Sequence, residues 1–237
     1  MKRIADILFP PRCPVCDDLL ETVELRSGEK IHARCRNKLF PVTEPMCFHC
    51  GRPLDKEESE YCTDCAGKRS VIVQGKSLFA YRGEVKKSMY RFKYSNRREY
   101  ADFFAGEAMR RYSDWIDFSG AEAVVPVPMY PKKERLRGYN QAKLFAKELS
   151  KRNGLIYEPQ MVRRVRDTKP QKELSVSERE NNLKNAFQVA ENVVEYKCVL
   201  LVDDIYTTGC TAETIAGELQ RAGVEKIYVL SVCIATG

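Results

Sequence analysis

No apolar run in this chain approaches the ~20 residues that a membrane-spanning helix requires, so no membrane span is expected. The first residues, Met1-Lys2-Arg3-Ile4-Ala5-Asp6-Ile7-Leu8-Phe9-Pro10-Pro11, hold an apolar stretch too short for an export signal, and Asp6 interrupts it. A short amphipathic helix packed on the residues that follow is the expectation there. Without an export signal nothing indicates an oxidising compartment, which argues against a disulfide framework. No internal repeat is present beyond a recurring C-x-x-C turn. The expected location is the cytoplasm, or the membrane periphery through partners.

The 237 residues are 43% hydrophobic and 31% charged, enough for one large or two small globular domains. Histidine is scarce, at two residues, but there are ten cysteines. Seven of them lie between Cys13 and Cys65, and six of these form the C-x-x-C pairs Cys13/Cys16, Cys47/Cys50 and Cys62/Cys65. The seventh, Cys35, follows His32 in an H-x-x-C pair. Four pairs supply eight ligands, the number that two tetrahedral zinc ions require. The gaps of 15, 11 and 11 residues between pairs suit zinc ribbons or knuckles. Every coordination position is filled by protein, so no place is left for a catalytic water and the expected role is structural or docking. Neighbouring turns are expected to pair in sequence, with a cross-braced arrangement as the alternative. His49, inside the Cys47 turn, is expected to face solvent. Cys198, Cys210 and Cys233 lie in or beside apolar strands and read as small core residues.

The formal charge of +7 is unevenly placed. Residues 1–70 carry 12 Lys/Arg and 12 Asp/Glu, so the excess lies beyond them. Arg82 to Arg98 holds seven basic residues and one acidic, and Lys132 to Arg152 holds eight and two. Two such segments suggest a polyanionic partner, although charge runs are usually solvated faces.

From Ser77 onward strands and helices alternate. Glu84–Tyr94, Arg98–Tyr112 and Tyr139–Arg152 have helical apolar spacing, and Ala123–Val127 is a strand ended by prolines. Thr168 to Lys184 is polar and reads as a mobile loop with a short helix. The most informative run is Val199-Leu200-Leu201-Val202-Asp203-Asp204-Ile205-Tyr206-Thr207-Thr208-Gly209-Cys210-Thr211. It predicts a buried parallel strand, two carboxylates at its carboxyl end, a small hydroxyl-rich loop and a helix from about residue 211. A helix N-terminus with a loop of exposed N–H groups favours an anion, most simply a phosphate.

This run resembles the motif by which type I phosphoribosyltransferases bind 5-phosphoribosyl-1-pyrophosphate (PRPP). The resemblance implies that Asp203 and Asp204 hold the ribose hydroxyls and serve as the catalytic pair. It also implies that Thr207, Thr208, Gly209, Cys210 and Thr211 hold the 5-phosphate, and that Mg²⁺ bridges the pyrophosphate and ribose oxygens. An earlier strand, Val124-Val125-Pro126-Val127-Pro128, is followed by Arg135-Leu136-Arg137-Gly138-Tyr139-Asn140-Gln141-Ala142. Arg135 and Arg137, with Lys133, would supply cations for a pyrophosphate loop, and Gly138 would permit a close turn. With the double zinc turns in front, these motifs are similar to the ComF family, phosphoribosyltransferase-like proteins linked to DNA uptake in natural competence. Phe92-Lys93-Tyr94, the Arg166-Asp167-Thr168 stretch with Gln171, and Arg179, Asn182 and Phe187 fit the same family; His32 departs from its commoner Cys.

The expected fold is therefore α/β: a type I phosphoribosyltransferase-like parallel sheet flanked by helices, over residues 71–237, with a small N-terminal double zinc-ribbon domain over residues 1–70. Two functions compete. One is a phosphoribosyltransferase of nucleotide salvage, for which no segment specifies a nucleobase pocket. The other is a PRPP-binding protein of DNA uptake. There the basic segments would track single-stranded DNA, Tyr90, Phe92, Tyr94 or Tyr139 would stack bases, and the zinc turns would dock DNA or the competence helicase. The sequence leaves catalysis itself open.

Overall fold

The computed structural model describes residues 10–56, 58–167, 183, 185–190 and 196–236. The expected N-terminal helix and the polar 168–184 segment lie outside the described residues, apart from Leu183.

The centre is a five-stranded, all-parallel sheet in the order β1-β7-β6-β2-β3. Its strands are β1 (Ile72–Ala80), β2 (Ala123–Pro126), β3 (Ile156–Tyr157), β6 (Cys198–Tyr206) and β7 (Lys226–Ile234). A separate antiparallel pair joins β4 (Val162–Arg164) to β5 (Phe187–Val189). The α/β architecture read from the sequence is the one observed.

Alternation along β6 sorts its side chains onto two faces, as the pleat requires. Leu200 and Val202 pack with α3 (Gly83–Tyr94), α4 (Tyr100–Ser119) and α6 (Gln141–Asn153). Val199 and Leu201 pack with α7 (Cys210–Arg221) through Ala212, Ile215, Ala216 and Leu219. Both faces are covered, which explains why β6 and β7 read as continuous apolar runs. The helix α4 continues to Ser119, well past the expected end at Tyr112. Tyr112 takes non-helical angles at a kink, and its hydroxyl donates to the Ser77 carbonyl at 2.9 Å.

The described residues 10–56 and 58–70 are bound to this body on both sides. They contain two short helices, α1 (Thr22–Ser27) and α2 (Ala33–Arg36), and otherwise turns. Cys13, Val15, Leu20, Ile31 and Cys35 join the core beneath α3 and α4, whereas Cys47, Cys50, Cys62 and Cys65 join the core on the α7 side. The chain crosses between faces at residues 40–42. There Ala80 N–H donates to Phe40 and Val42 N–H donates to Leu78, so the free edge of β1 is paired and protected.

The contact between the second cysteine turn and β1 is backbone on backbone. A Cβ at Gly51, where φ is +69°, would lie 2.8 Å from the Gly75 carbonyl oxygen and 2.9 Å from Lys76 Cα. Neither neighbour is a flexible side chain that can move aside. Gly51→Ala should therefore lower stability by about 1–3 kcal/mol, through strain and forced separation, as measured by chemical denaturation.

Candidate functional site

Two sets of ligand atoms come together in the N-terminal turns: Cys13, Cys16, His32 and Cys35, and Cys47, Cys50, Cys62 and Cys65. Within each set all ligand atoms lie within 4.8 Å of one another. The Cys50 and Cys62 sulfurs are 3.7 Å apart, close to the ~3.8 Å edge of a tetrahedron with ~2.3 Å Zn–S bonds. His32 presents Nδ1 to the first set, 3.3 Å from the Cys16 sulfur, while its Nε2 meets the Leu19 carbonyl at 2.9 Å. That outer contact fixes the ring so that Nδ1 is left to bind metal, as ligating histidines commonly require. Both donor sets fit structural Zn²⁺, and pairing is sequential rather than cross-braced.

His49 does not face solvent as expected. It is buried, and its Nε2 lies 2.9 Å from Glu213 Oε1 in the first turn of α7. Spacing within the turn cannot show this, because the partner lies more than 160 residues away.

The acidic pair sits inside β6, near its carboxyl end. Asp203 and Asp204 are both half-buried. An Asp203 carboxylate oxygen accepts the Asp204 N–H at 2.7 Å. Lys93, in the last turn of α3, lies 2.8 Å from the other carboxylate, Asp204. Burial disfavours the Lys93 ammonium, but the carboxylates of Asp204 and Asp203 outweigh it and raise its pKa. Asp203 is pushed up to about 8, first by burial and then by the Asp204 charge, with Lys93 only partly offsetting both. Lys93 thus belongs to this site and not to the outer basic face of α3 where the sequence placed it. Phe92 and Tyr139 are likewise buried and offer no face for stacking, whereas Tyr90 and Tyr94 are exposed with ring centroids 5.0 Å apart.

Beyond β6 the Thr207–Thr211 segment turns into α7. Gly209 takes φ +81° as the N-cap, and a Cβ there would meet the Tyr206 hydroxyl at 2.2 Å, so only glycine fits. Cys210 is half-buried, and its sulfur receives the Thr208 hydroxyl at 3.1 Å. The first N–H groups of a twelve-residue helix are thereby left facing the loop.

The Arg135/Arg137/Gly138 segment is mainly helical. Helix α5 (Pro131–Arg137) starts on a proline and is closed by Gly138 at φ +85°. Arg137 donates to Gln141 Oε1 at 2.9 Å, and its guanidinium lies 5.0 Å from the Tyr94 ring centroid, next in sequence to Lys93. Arg135 is exposed, with no ion-pair partner among the described residues. Lys133 pairs with Asp167 at 2.6 Å. A cation the sequence reading passed over, Arg164 on β4, has its pKa lowered by burial, against the opposing charges of Asp167 and Asp203. Its only local signal was its position two residues beyond the buried Val162, on the same side of a short strand.

The fold and these clusters define a class: a double zinc-ribbon module joined to a parallel α/β body with a carboxylate pair and a helix N-terminus at the sheet's carboxyl edge. The double zinc ribbon domain family matches residues 4–66. The chain is 34% identical to Competence protein F of Haemophilus influenzae over 78% of this chain and 82% of that protein. It is 29% identical to Competence protein ComFC of Bacillus subtilis over 84% and 81% of the two chains. It is also 31% identical to the DNA utilization protein YhgH of Salmonella typhimurium over 79% and 83%. The chain belongs to the ComF family.

The raised pKa of Asp203 has a definite sign in stability. The native state holds the proton more tightly than the unfolded chain. The group therefore contributes stability fully below the unfolded value near ~4, and that contribution is lost as pH rises toward about 8. Asp203→Asn should flatten this dependence and raise stability at pH 8 by about 1–3 kcal/mol in the ligand-free protein. Denaturation curves at pH 5 and pH 8 measure it.

Proposed function

We propose that this protein binds PRPP, or a closely related pentose phosphate, at the carboxyl edge of its sheet, and that it does so in the service of DNA uptake. The observation that carries the reading is the conjunction within β6 and α7. Two carboxylates suited to a diol lie five and six residues before Gly209, the cap of a helix N-terminus suited to a phosphate. In this reading Asp203 and Asp204 accept the ribose hydroxyls, and Thr207 to Thr211 enclose the 5-phosphate. Arg137, with Arg135 and Gly138, faces the diphosphate. Mg²⁺ would be held with the ligand beside Asp203 and Asp204 and would offset their negative charge. The names of the relatives supply the process, since they are called competence and DNA utilization proteins. If transfer occurs, these cations stabilise the departing diphosphate, the part of the reaction where negative charge develops.

No segment of the sequence specifies a nucleobase pocket. The salvage reading therefore gains no support beyond the shared ligand.

A second reading, contact with single-stranded DNA, is favoured by one observation. Tyr90 and Tyr94 are exposed side by side on α3, with Arg137 against Tyr94 and Lys86 and Lys87 on the same helix. Lys87 is paired with Glu84 at 2.7 Å, and further members of the basic runs are also engaged: Arg97 with Asp17, Lys143 with Glu134, and Arg152 with Asp102. Any strip that tracks DNA is therefore shorter than the charge count suggests.

Calorimetry with PRPP and Mg²⁺ tests the first reading. Saturable binding is expected, and the double substitution Asp203→Ala, Asp204→Ala should weaken it by at least a hundredfold. Unchanged affinity would remove the site assignment. For the DNA surface, replacing Lys86 and Lys87 by Ala should make the slope of log K against log salt shallower by roughly 1.4, about 0.7 for each lost phosphate contact. An unchanged slope would place DNA elsewhere.

A further inference from the structure

The N-terminal region around the second zinc module reaches the ligand loop and the first turn of α7 through three separate contacts. Arg52, just after the Cys47–Cys50 turn, donates through Nη1 to Asp64 at 2.5 Å and through Nη2 to the Thr207 carbonyl at 3.2 Å. Asp64 lies within the Cys62–Cys65 turn, so one planar guanidinium ties a metal-binding turn to the first residue of the loop. His49, inside the other turn, meets Glu213 at 2.9 Å, and the Ser70 hydroxyl lies within 2.9 Å of both Glu213 oxygens. Tyr206 fills the space beneath Gly209. The first zinc module sits on the other face of the sheet. Its equivalent tie is Arg97 to Asp17, at 2.6 and 2.9 Å.

These contacts have an orienting consequence. In a trans peptide the carbonyl and the next N–H point in opposite directions. Holding the Thr207 carbonyl toward Arg52 therefore turns the Thr208 N–H away from the zinc module and into the loop. Glu213 presents the opposite problem, since a carboxylate in the first turn of an anion-receiving helix repels the anion. His49 and Ser70 draw it toward the zinc module.

We propose that Arg52 and His49 are positioning residues for the phosphate loop. The metal-bound Cys47/Cys50/Cys62/Cys65 module would then set the shape and affinity of the sugar-phosphate site, while the first zinc module would not. The affinity part rests on the reading of Thr207–Thr211 given above; the coupling part stands without it.

The test uses the full chain and four proteins: wild type, Arg52→Ala, Arg52→Lys and Arg97→Ala. Zinc content is measured for each. Amide hydrogen exchange is followed by mass spectrometry, and PRPP binding with Mg²⁺ by calorimetry. Arg52→Ala should accelerate exchange in residues 207–213 and raise the PRPP Kd by about tenfold, the loss expected for one charge-assisted hydrogen bond. Arg97→Ala should change neither. If Arg52→Ala loses zinc, Arg52→Lys carries the test. It keeps a positive charge beside Asp64 but cannot span both acceptors, so it should retain two zinc ions and still loosen the loop. Unchanged exchange in both Arg52 variants would overturn the coupling, as would equal loosening in Arg97→Ala. If wild type binds no PRPP, the ligand reading fails, yet the exchange comparison still decides whether the zinc module shapes the loop.

Discussion

Tetrahedral coordination of zinc is the constraint on which the N-terminal third of this structure depends. Between residues 10 and 70 there are two helices of six and four residues, and most of the rest is turns. The side chains buried there are largely the ligands themselves, with Val15, Leu20, Ile31 and Val42 as the main apolar additions. So small an apolar set does not offset the chain entropy of ordering some sixty residues, whereas structural zinc contributes on the order of 10 kcal/mol per site. The consequence extends to the sheet. Residues 40–42 are held between the two metal sites and pair with β1, so the metal also protects an edge strand that would otherwise present unpaired backbone groups.

This arrangement makes the module part of the body and not an appendage. The first metal site enters the core under α3 and α4, and the second enters the core beside α7. A parallel sheet needs cover on both faces, and near β1 part of that cover comes from cysteine turns where larger α/β proteins use further helices. The close approach of Gly51 to Gly75 shows how tight the seam is.

Much of this was legible in the sequence because the signals are local. The strand, loop and helix order from Val199 to Thr211 follows from an apolar run, two carboxylates, one glycine and a helix-forming stretch. The eight metal ligands follow from C-x-x-C and H-x-x-C spacing. What was not legible depends on long-range placement. Lys93 sits in a basic helix and reads as surface, yet the end of that helix abuts β6 and buries the ammonium against Asp204. His49 reads as solvent-facing until α7, far along the chain, brings Glu213 to it. Phe92 and Tyr139 read as stacking faces in the sequence because aromatic side chains beside lysines suit both a core and a nucleic-acid surface. Their ring centroids are 6.4 Å apart, inside the core beneath the sheet. The pairing of residues 40–42 with β1 has no signal in either segment alone.

The charge balance at the acidic pair links these placements to ligand chemistry. Two carboxylates lie one residue apart in a half-buried strand end, with one lysine against one of them. Burial raises the pKa of Asp203 first and the neighbouring Asp204 charge adds to it, while the lysine, which lies against Asp204, only partly offsets both. A ligand that brings hydroxyl donors and a divalent cation to the pair supplies what is missing and favours the ionised form. Binding of such a ligand is then linked to proton release from Asp203, and affinity weakens as pH falls below about 8. A plain anion has no such effect, because it adds negative charge beside an already strained pair. On the proposed reading of Thr207–Thr211 as a phosphate loop, the loop and the carboxylates make opposite electrostatic demands, one favouring an anion and the other a cation with hydroxyls. The ligand proposed above, a sugar phosphate carrying a metal-bound diphosphate, would meet both demands in one molecule, whereas free phosphate or a free nucleobase would not.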